Sequence, residues 1–544
     1  MFFAVTLWWV LDLLHCRFAR YRLHCLIMAD AERAEEKPRP SAEVYAVYGV
    51  EPEIQAYAMA KYSRSALSLK ESLREISEQK AEKFLNTFYF QYGHRSIADL
   101  AHIAFALERV SLLAAIAVVD EQRWDGQERS TRYQDFSRPD YYIPAFAGNS
   151  DAQRLFEETI ELLFGEYREL SQAVFNHLCA RVPRPPEMKE EAYTRTLHAR
   201  AFDSARYLLP LATCTSLGQI VNARTLETQI TRLLSSSFAE VRELGEKLKY
   251  AANHAAYDTA GEAKRRLYEE IGRRDPSWGE QVRELLLKEV RPAPTLVKYA
   301  EPNPYLIETG KELRAAAEQL MCGSEMAAAP PVDLLDDEPV EIELATTLLY
   351  ENSHYSYRQI RERVQGLTEA ERREIVDLGV RHRGKHDELP RAFCTGMKFR
   401  FDILMDIGGF RDLHRHRRCI QIGQEFTTVH GYETPEDVRA ANWSDRYATA
   451  MGTMRNMIKQ FISEGMDAGE EQYLIPLAYR KRTLFKMDFA EAVYITELRT
   501  APAGHFSYRA IAWKMYEAVA RRYPSLAQYF RVHDPSQPWD LLQR

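Results

Sequence analysis

No CxxC pair occurs among the seven cysteines of this 544-residue chain. That excludes a zinc ribbon, argues against a disulfide framework, and suits a reducing compartment. A basic excess is missing too: 72 Lys and Arg stand against 79 Asp and Glu, a formal net charge of −7. A general nucleic-acid binder carries a strong positive surplus, so nucleic acid is not an expected partner and any anion binding must be local. Long apolar runs are also scarce. The opening MFFAVTLWWVLDLL is apolar, but Asp12 interrupts it, and a bilayer span needs about 20 residues. No basic segment precedes it, and CRFARYRLHC is a poor cleavage region. It reads as untranslated sequence or an extension ahead of Met28, with an interfacial anchor as the alternative. The expected setting is cytoplasmic, with no membrane partner.

What is present is helical periodicity. Apolar spacings of three and four predict helices over 65–90, 154–178 and 227–255. Two stretches read as extended: IAFALERVS (103–111) and KFRFDILMDI (398–407), the latter alternating. Residues 1–43 read as an extension without order of its own. The Ala-, Pro- and Asp-rich segment 323–341 reads as a linker. The expected division is 44–295 and 342–544, joined by 296–341.

The two sides look related. YLLPLA (207–212) recurs as YLIPLA (473–478), 266 positions on, and Arg232 and Arg499 stand on similar helical patterns 267 apart. Two landmarks at nearly one offset point to a duplication.

Cationic residues then concentrate beside small polar ones. FRDLHRHRRCIQIGQ (410–424) packs Arg411, Arg415, Arg417 and Arg418 around His414 and His416. ERSTRY (128–133) and DSARYLLPLATCTSLGQIVNAR (203–224) repeat the theme. Arginine's planar fork matches phosphate oxygens, and Ser, Thr and Asn add short donors. Singly, each has an ordinary explanation: Glu128 with Arg132, and Asp203 with Arg206, are helical spacings that form ion pairs. Metal is a further alternative, through His382/His386 at i,i+4 or His414/His416 on one strand face, with Asp387, Glu388 and Asp412. The arginines crowding these histidines would repel a cation and attract an anion. Cys419 beside the cluster is a thiol with either a lowered pKa or a place in the core.

The order of these segments resembles that of the flavin-dependent thymidylate synthases. That family carries G-H-x-S-x-x-E, then R-H-R-x-x-S-x-N-x-E-S-x-R-Y, then A-R-x-x-L-P and N-A-R. Here stand Gly93-His94-Arg95-Ser96 with Asp99, Glu128-Arg129-Ser130-Thr131-Arg132-Tyr133, Ala205-Arg206 with Leu209-Pro210, and Asn222-Ala223-Arg224. Counting back from Tyr133, the family's R-H-R falls on Asp120, Glu121 and Gln122, its first Ser on Asp125 and its Asn on Gln127. The second half supplies Arg415-His416-Arg417 after its own extended stretch but lacks S-x-R-Y. A further R-H-R, Arg381-His382-Arg383, precedes that stretch; an exposed basic turn is its alternative.

The resemblance implies an α+β, helix-rich fold of two tandem repeats, each with an antiparallel sheet. It implies reductive methylation of dUMP to dTMP, with FAD as cofactor and NADPH and methylenetetrahydrofolate as co-substrates. It assigns Glu128, Ser130, Arg132 and Arg206 to the nucleotide and Arg232 or Arg499 to the pyrimidine. His94, Ser96, Asn222, Arg224, Arg415, His416 and Arg417 go to the flavin, and no residue to a metal. Each half keeps what the other lost, so composite sites are expected, and a homodimer would mimic the family's tetramer. Two other classes stay open: a catalytically inactive nucleotide-binding or scaffold descendant, and an RNA binder using 411–418.

Overall fold

Alternation in IAFALERVS produces strand β1 (His102–Ser111), whose side chains alternate between exposed and buried along its first half. It pairs antiparallel with β3 (Cys214–Asn222), which also carries the short β2 (Asp125–Glu128), giving the order β1-β3-β2. A second sheet holds β4 (Val332–Leu334), β5 (Phe399–Asp406), β6 (Ile420–Gly423) and β7 (Arg480–Met487) in the order β4-β5-β7-β6, again antiparallel. Thus β5-β7-β6 repeats β1-β3-β2, and β4 is an added edge. The computed structural model describes residues 49–61, 68–75, 95–146, 149–384, 387, 389–463, 469–537 and 540–542.

The long expected helix over 154–178 forms as Ser150–Arg181. The periodic stretch 227–255 is two helices, Ala223–Leu234 and Ala239–Asn253, because Ser235–Phe238 breaks the run. Of the stretch 65–90, the described part is the helix Leu69–Glu75; the remainder lies outside the described residues. Residues 296–341 hold more structure than a linker: helix Pro304–Met321, and β4, which pairs with β5 and so belongs to the second sheet. The stretch 398–407 ends earlier than its alternation suggests, since Ile407 already begins the helix Ile407–Leu413.

The duplication is written in backbone hydrogen bonds. In the first copy Leu112 N–H donates to Thr213 (2.9 Å) and Leu113 to Leu211 (3.1 Å); in the second Ile407 donates to Tyr479 (2.9 Å) and Gly408 to Leu477 (3.0 Å). Strand ends correspond as well: Arg129 donates to Ser216 (2.8 Å) and Gln424 to Arg482 (3.0 Å). The two hexapeptides pair with each other. Leu211 donates to Ile475 (3.0 Å), Ala212 to Tyr473 (2.8 Å), Leu477 to Leu209 (3.0 Å) and Ala478 to Tyr207 (3.1 Å), around a Pro210–Pro476 bridge. This is self-complementary pairing, as at a twofold dimer interface, held inside one chain. One apolar core runs through both copies, from Ile103, Leu107 and Leu217 to Leu211, Ile475, Phe401 and Ile403. Residues 51–544 form one compact unit.

Each copy caps the helix after its first strand with a buried acid–hydroxyl pair, but with the partners exchanged. In copy one Ser111 caps, and its N–H and Oγ donate to Glu240 (2.8 and 2.6 Å). In copy two Asp406 caps, accepting from Gly409 N–H (2.6 Å) and from Ser507 Oγ. Tyr473 of copy two also donates to Glu240 (3.0 Å), tying cap to hexapeptide. Replacing Glu240 by Ala strands three buried donors, two on Ser111 and one on Tyr473, each costing about 1–3 kcal/mol. Chemical denaturation of Glu240→Ala is expected to show a loss of about 3 kcal/mol, and Tyr473→Phe about 1 kcal/mol.

Candidate functional site

The tripeptide that matters begins nine positions after each cap. From Ser111 the chain reaches Asp120, Glu121 and Gln122; from Asp406 it reaches Arg415, His416 and Arg417. The two tripeptides therefore occupy equivalent places. A matching contact supports this: Arg232 Nη2 reaches Glu121 (2.8 Å), and Arg499 Nε reaches His416 Nε2 (2.8 Å).

Helix Ile407–Leu413 delivers Arg411, and the turn after it delivers Arg415 and Arg417, onto residues of the other copy. Arg415 donates to Gln127 Oε1 (2.9 Å), and Arg411 to Glu128 Oε1 (2.6 Å). Arg417 lies over the Trp124 ring (5.1 Å) and donates to the His414 carbonyl (3.1 Å). Thr131 is the point of convergence. Its Oγ1 accepts from Arg206 of copy one (3.3 Å) and from Arg411 of copy two (3.3 Å). Both guanidiniums are largely buried, with Asp412 3.6 Å from Arg206. Arg206 Nε and Nη2, Arg411 Nε and Arg417 Nη2 are buried without a hydrogen-bond partner. Buried N–H groups left undonated favour an anion, because it satisfies the donors and offsets their charge.

Beside this point Arg132 grips Asp203 with two nitrogens (2.8 and 3.3 Å), and its third donates to Tyr508 Oη (3.1 Å). The buried Asp203 carboxylate raises the Arg132 pKa, outweighing the burial that lowers it. Tyr508 lies 5.7 Å from the Arg132 guanidinium and 5.4 Å from that of Arg499, so the two cations flank one ring. His416 continues the chain: Nε2 accepts from Arg499, which places its proton on Nδ1, 3.5 Å from Glu491. Burial holds the His416 pKa below its ordinary value, with Arg499 and Arg417 adding to the shift and Glu491 opposing it. Burial, reinforced by Arg391 and Arg415, brings Arg417 down to about 10, still protonated at neutral pH.

The expected site residues thus separate into groups. Glu128, Ser130, Arg132, Arg206, Arg415, His416, Arg417 and Arg499 gather along the seam between copies. Arg232 does not: it is held by Glu121 and the Ala117 carbonyl (2.8 Å). Asn222 caps the next helix by accepting from Thr225 N–H (2.8 Å), Arg224 reaches Asp99 (3.4 Å), and Ser96 is exposed. His94 lies outside the described residues. Neither suggested local ion pair forms: Glu128 takes Arg411, and Asp203 takes Arg132. His414 is not on a strand but follows the helix and reaches Asp120 (3.1 Å). Arg381 and His382 contact Glu312 (3.3 and 2.9 Å). Burial pushes the Cys419 thiol up to about 12, and its side chain packs in the core. Among the described residues no group of three or more metal-ligating side chains assembles, and no helix is long and apolar enough to cross a membrane. Thr131, Arg411, Asp412 and Tyr508 were not expected at the site. Arg411 and Asp412 sat within the cationic run; Tyr508 had no local signal.

A depressed histidine pKa has a definite sign. His416 contributes stability above the unfolded value near 6.5, and that contribution is lost as pH falls through the lower folded value. Denaturation between pH 7 and 5 is expected to show stability falling in the parent protein and a shallower fall in His416→Gln.

With this geometry in place, comparison with known proteins is informative. The family model described as thymidylate synthase complementing protein matches residues 47–256 and again 332–525. A UPF0159 protein of Chlamydia pneumoniae is 28% identical over 533 residues, covering 91% of this chain and 92% of that protein. A UPF0159 protein of Thermoplasma acidophilum is 24% identical, covering 88% and 94%. A flavin-dependent thymidylate synthase of Clostridium tetani is 26% identical over 217 residues, 38% of this chain and 84% of that one. Among solved structures, a flavin-dependent thymidylate synthase from Helicobacter pylori, complexed with FAD and dUMP, aligns at 17% identity and TM-score 0.25, covering 39% of this chain and 93% of that one. The chain belongs to the thymidylate synthase complementing protein family and carries two copies of its module in one polypeptide.

Proposed function

We propose that this protein is an FAD-dependent thymidylate synthase-like enzyme whose site is composed of both copies. The reaction is reductive methylation of dUMP to dTMP, with methylenetetrahydrofolate giving the carbon and NADPH the reducing electrons, or a related flavin reaction on a pyrimidine nucleotide. The observation that carries the reading is the meeting of Arg206 and Arg411, one from each copy, on Thr131 with buried N–H groups undonated. A nucleotide phosphate meets that demand. Arg132, held by Asp203, completes the cationic wall, and Arg499 on the far side of Tyr508 is the cation for negative charge developing on the pyrimidine.

Arg415 and Arg417 fit an anionic cofactor such as FAD: one guanidinium is at the rim, and the other belongs to a half-buried side chain whose buried Nη2 is undonated beside Trp124. His416, fixed between Arg499 and Glu491, orders the turn between them. Bound FAD would supply hydride chemistry; the chain's own work is placement and electrostatics. Ser96, Asn222 and Arg224 stand as further flavin candidates, with His94. The two copies are taken to span about 44–295 and 342–544, and a dimer of this chain would correspond to four modules.

A second reading is favoured by one observation. Asp120 and Glu121 fill the place of an Arg-His-Arg and are already ion-paired, to Arg391 (2.6 Å) and Arg232 (2.8 Å). A descendant that binds nucleotide without flavin would carry such pairs. Visible flavin absorbance of the purified protein, and rescue of a thymidine-requiring strain, separate the two. Rescue is expected; a protein that stays colourless with added FAD and fails to rescue would leave the scaffold reading. In the flavoprotein, Arg415→Ala with Arg417→Ala is expected to release flavin. Arg206→Gln is expected to keep flavin and weaken dUMP binding about ten- to a hundredfold, the loss of one charge-assisted contact. Equal retention of both ligands in both variants would rule out the composite site.

A further inference from the structure

A duplicated module with twofold-like pairing has two seams where the copies face each other. One is the Thr131 site. The other, its mate, is located by the same register. Arg206 and Gln472 are equivalent: each carbonyl accepts the turn N–H three residues on, from Leu209 (3.0 Å) and Ile475 (3.1 Å). Arg411 and Ile116 are equivalent, each the fifth residue after its cap. Between the matched bonds of Arg129 and Gln424 and those made by the Asp140 and Gly431 carbonyls, copy one has Ser130–Pro139 and copy two has only Glu425–His430. That second segment, EFTTVH, contains no arginine or lysine. At the mate, therefore, Gln472 stands for Arg206, Ile116 for Arg411, and nothing for Arg132.

The tripeptide changes in the same direction, with Asp120, Glu121 and Gln122 in place of Arg415, His416 and Arg417. These acids are already neutralised. Asp120 accepts from Arg391 (2.6 Å) and faces His414 Nε2 (3.1 Å), Glu121 takes Arg232 (2.8 Å), and Glu425 takes Arg314 (3.0 Å). The buried Lys481 ammonium lies within electrostatic reach of Asp120, Glu425 and Glu351 and donates to the Gln424 carbonyl. Where the first seam holds buried cations with undonated N–H groups, the mate holds carboxylates with cations from neighbouring elements. A phosphate there would displace ion pairs and meet negative charge.

We infer that each chain holds a single nucleotide, at the Thr131 seam, and that the mate seam is closed by ion pairs, so that two modules share one site. The inference rests on the nucleotide reading of the Thr131 seam. The test is the number of dUMP molecules bound by the purified full-length chain, counted by equilibrium dialysis and calorimetry. One per chain is expected, falling at least tenfold in affinity in Arg206→Gln and also in the milder Arg206→Lys. Glu425→Gln, which loosens the Arg314 pair at the mate, is expected to leave the count at one and the affinity unchanged. Two equivalent sites, or loss of binding in Glu425→Gln, would overturn the single-site inference while leaving the nucleotide reading intact. No binding at all would overturn both.

Discussion

The antiparallel pairing of YLLPLA with YLIPLA is the constraint on which the rest depends. Four backbone hydrogen bonds around Pro210 and Pro476 fix the position of one copy against the other. Each strand–helix turn is bonded onto its own hexapeptide, through Leu112 and Leu113 in one copy and Ile407 and Gly408 in the other. The caps, the helices after them and the tripeptides beyond are thereby carried into register. Arg411 and Arg415 meet Glu128 and Gln127 across the seam for this reason and not through any local sequence preference. Burial makes the arrangement stiff, since an unpaired backbone group in that core would cost about as much as a lost hydrogen bond.

Within this frame the two copies have diverged in charge while keeping their backbone. The exchange of Ser111 and Glu240 for Asp406 and Ser507 preserves one buried hydrogen-bonded acid at each cap. At the seams the divergence is not balanced. One seam keeps Arg132, held by Asp203, beside Arg206 and Arg411 with buried N–H groups undonated, and the other trades cations for paired acids. Because both modules stand in one chain, their sequences need not match, and the two seams can diverge separately.

The long helical stretches and strands β1 and β5 were legible because each has a strong period. Ser150–Arg181, β1 and β5 follow from apolar spacing. The errors lie where a short polar group overrides the period. Ser235–Ser237 breaks the helical stretch 227–255, and Asp406 ends β5 by capping the next helix. The segment 323–341 looked unstructured by composition, yet its Val332–Leu334 found a partner in β5, which composition does not register.

The sequence by itself determined the family, the duplication and most of the cationic inventory, because motifs and offsets are linear properties. It also marked the complementary losses, acids in one tripeptide and cations in the other. Only the tertiary structure decided which arginines act together. Arg232 and Arg499 sit at matching positions, but Glu121 holds one and Tyr508 with His416 the other. Thr131 became a meeting point because Arg206 and Arg411, 205 residues apart in sequence, are brought onto one hydroxyl by hexapeptide pairing. A hydrogen bond between copies depends on how the copies are oriented in space, and no spacing along the chain encodes that orientation.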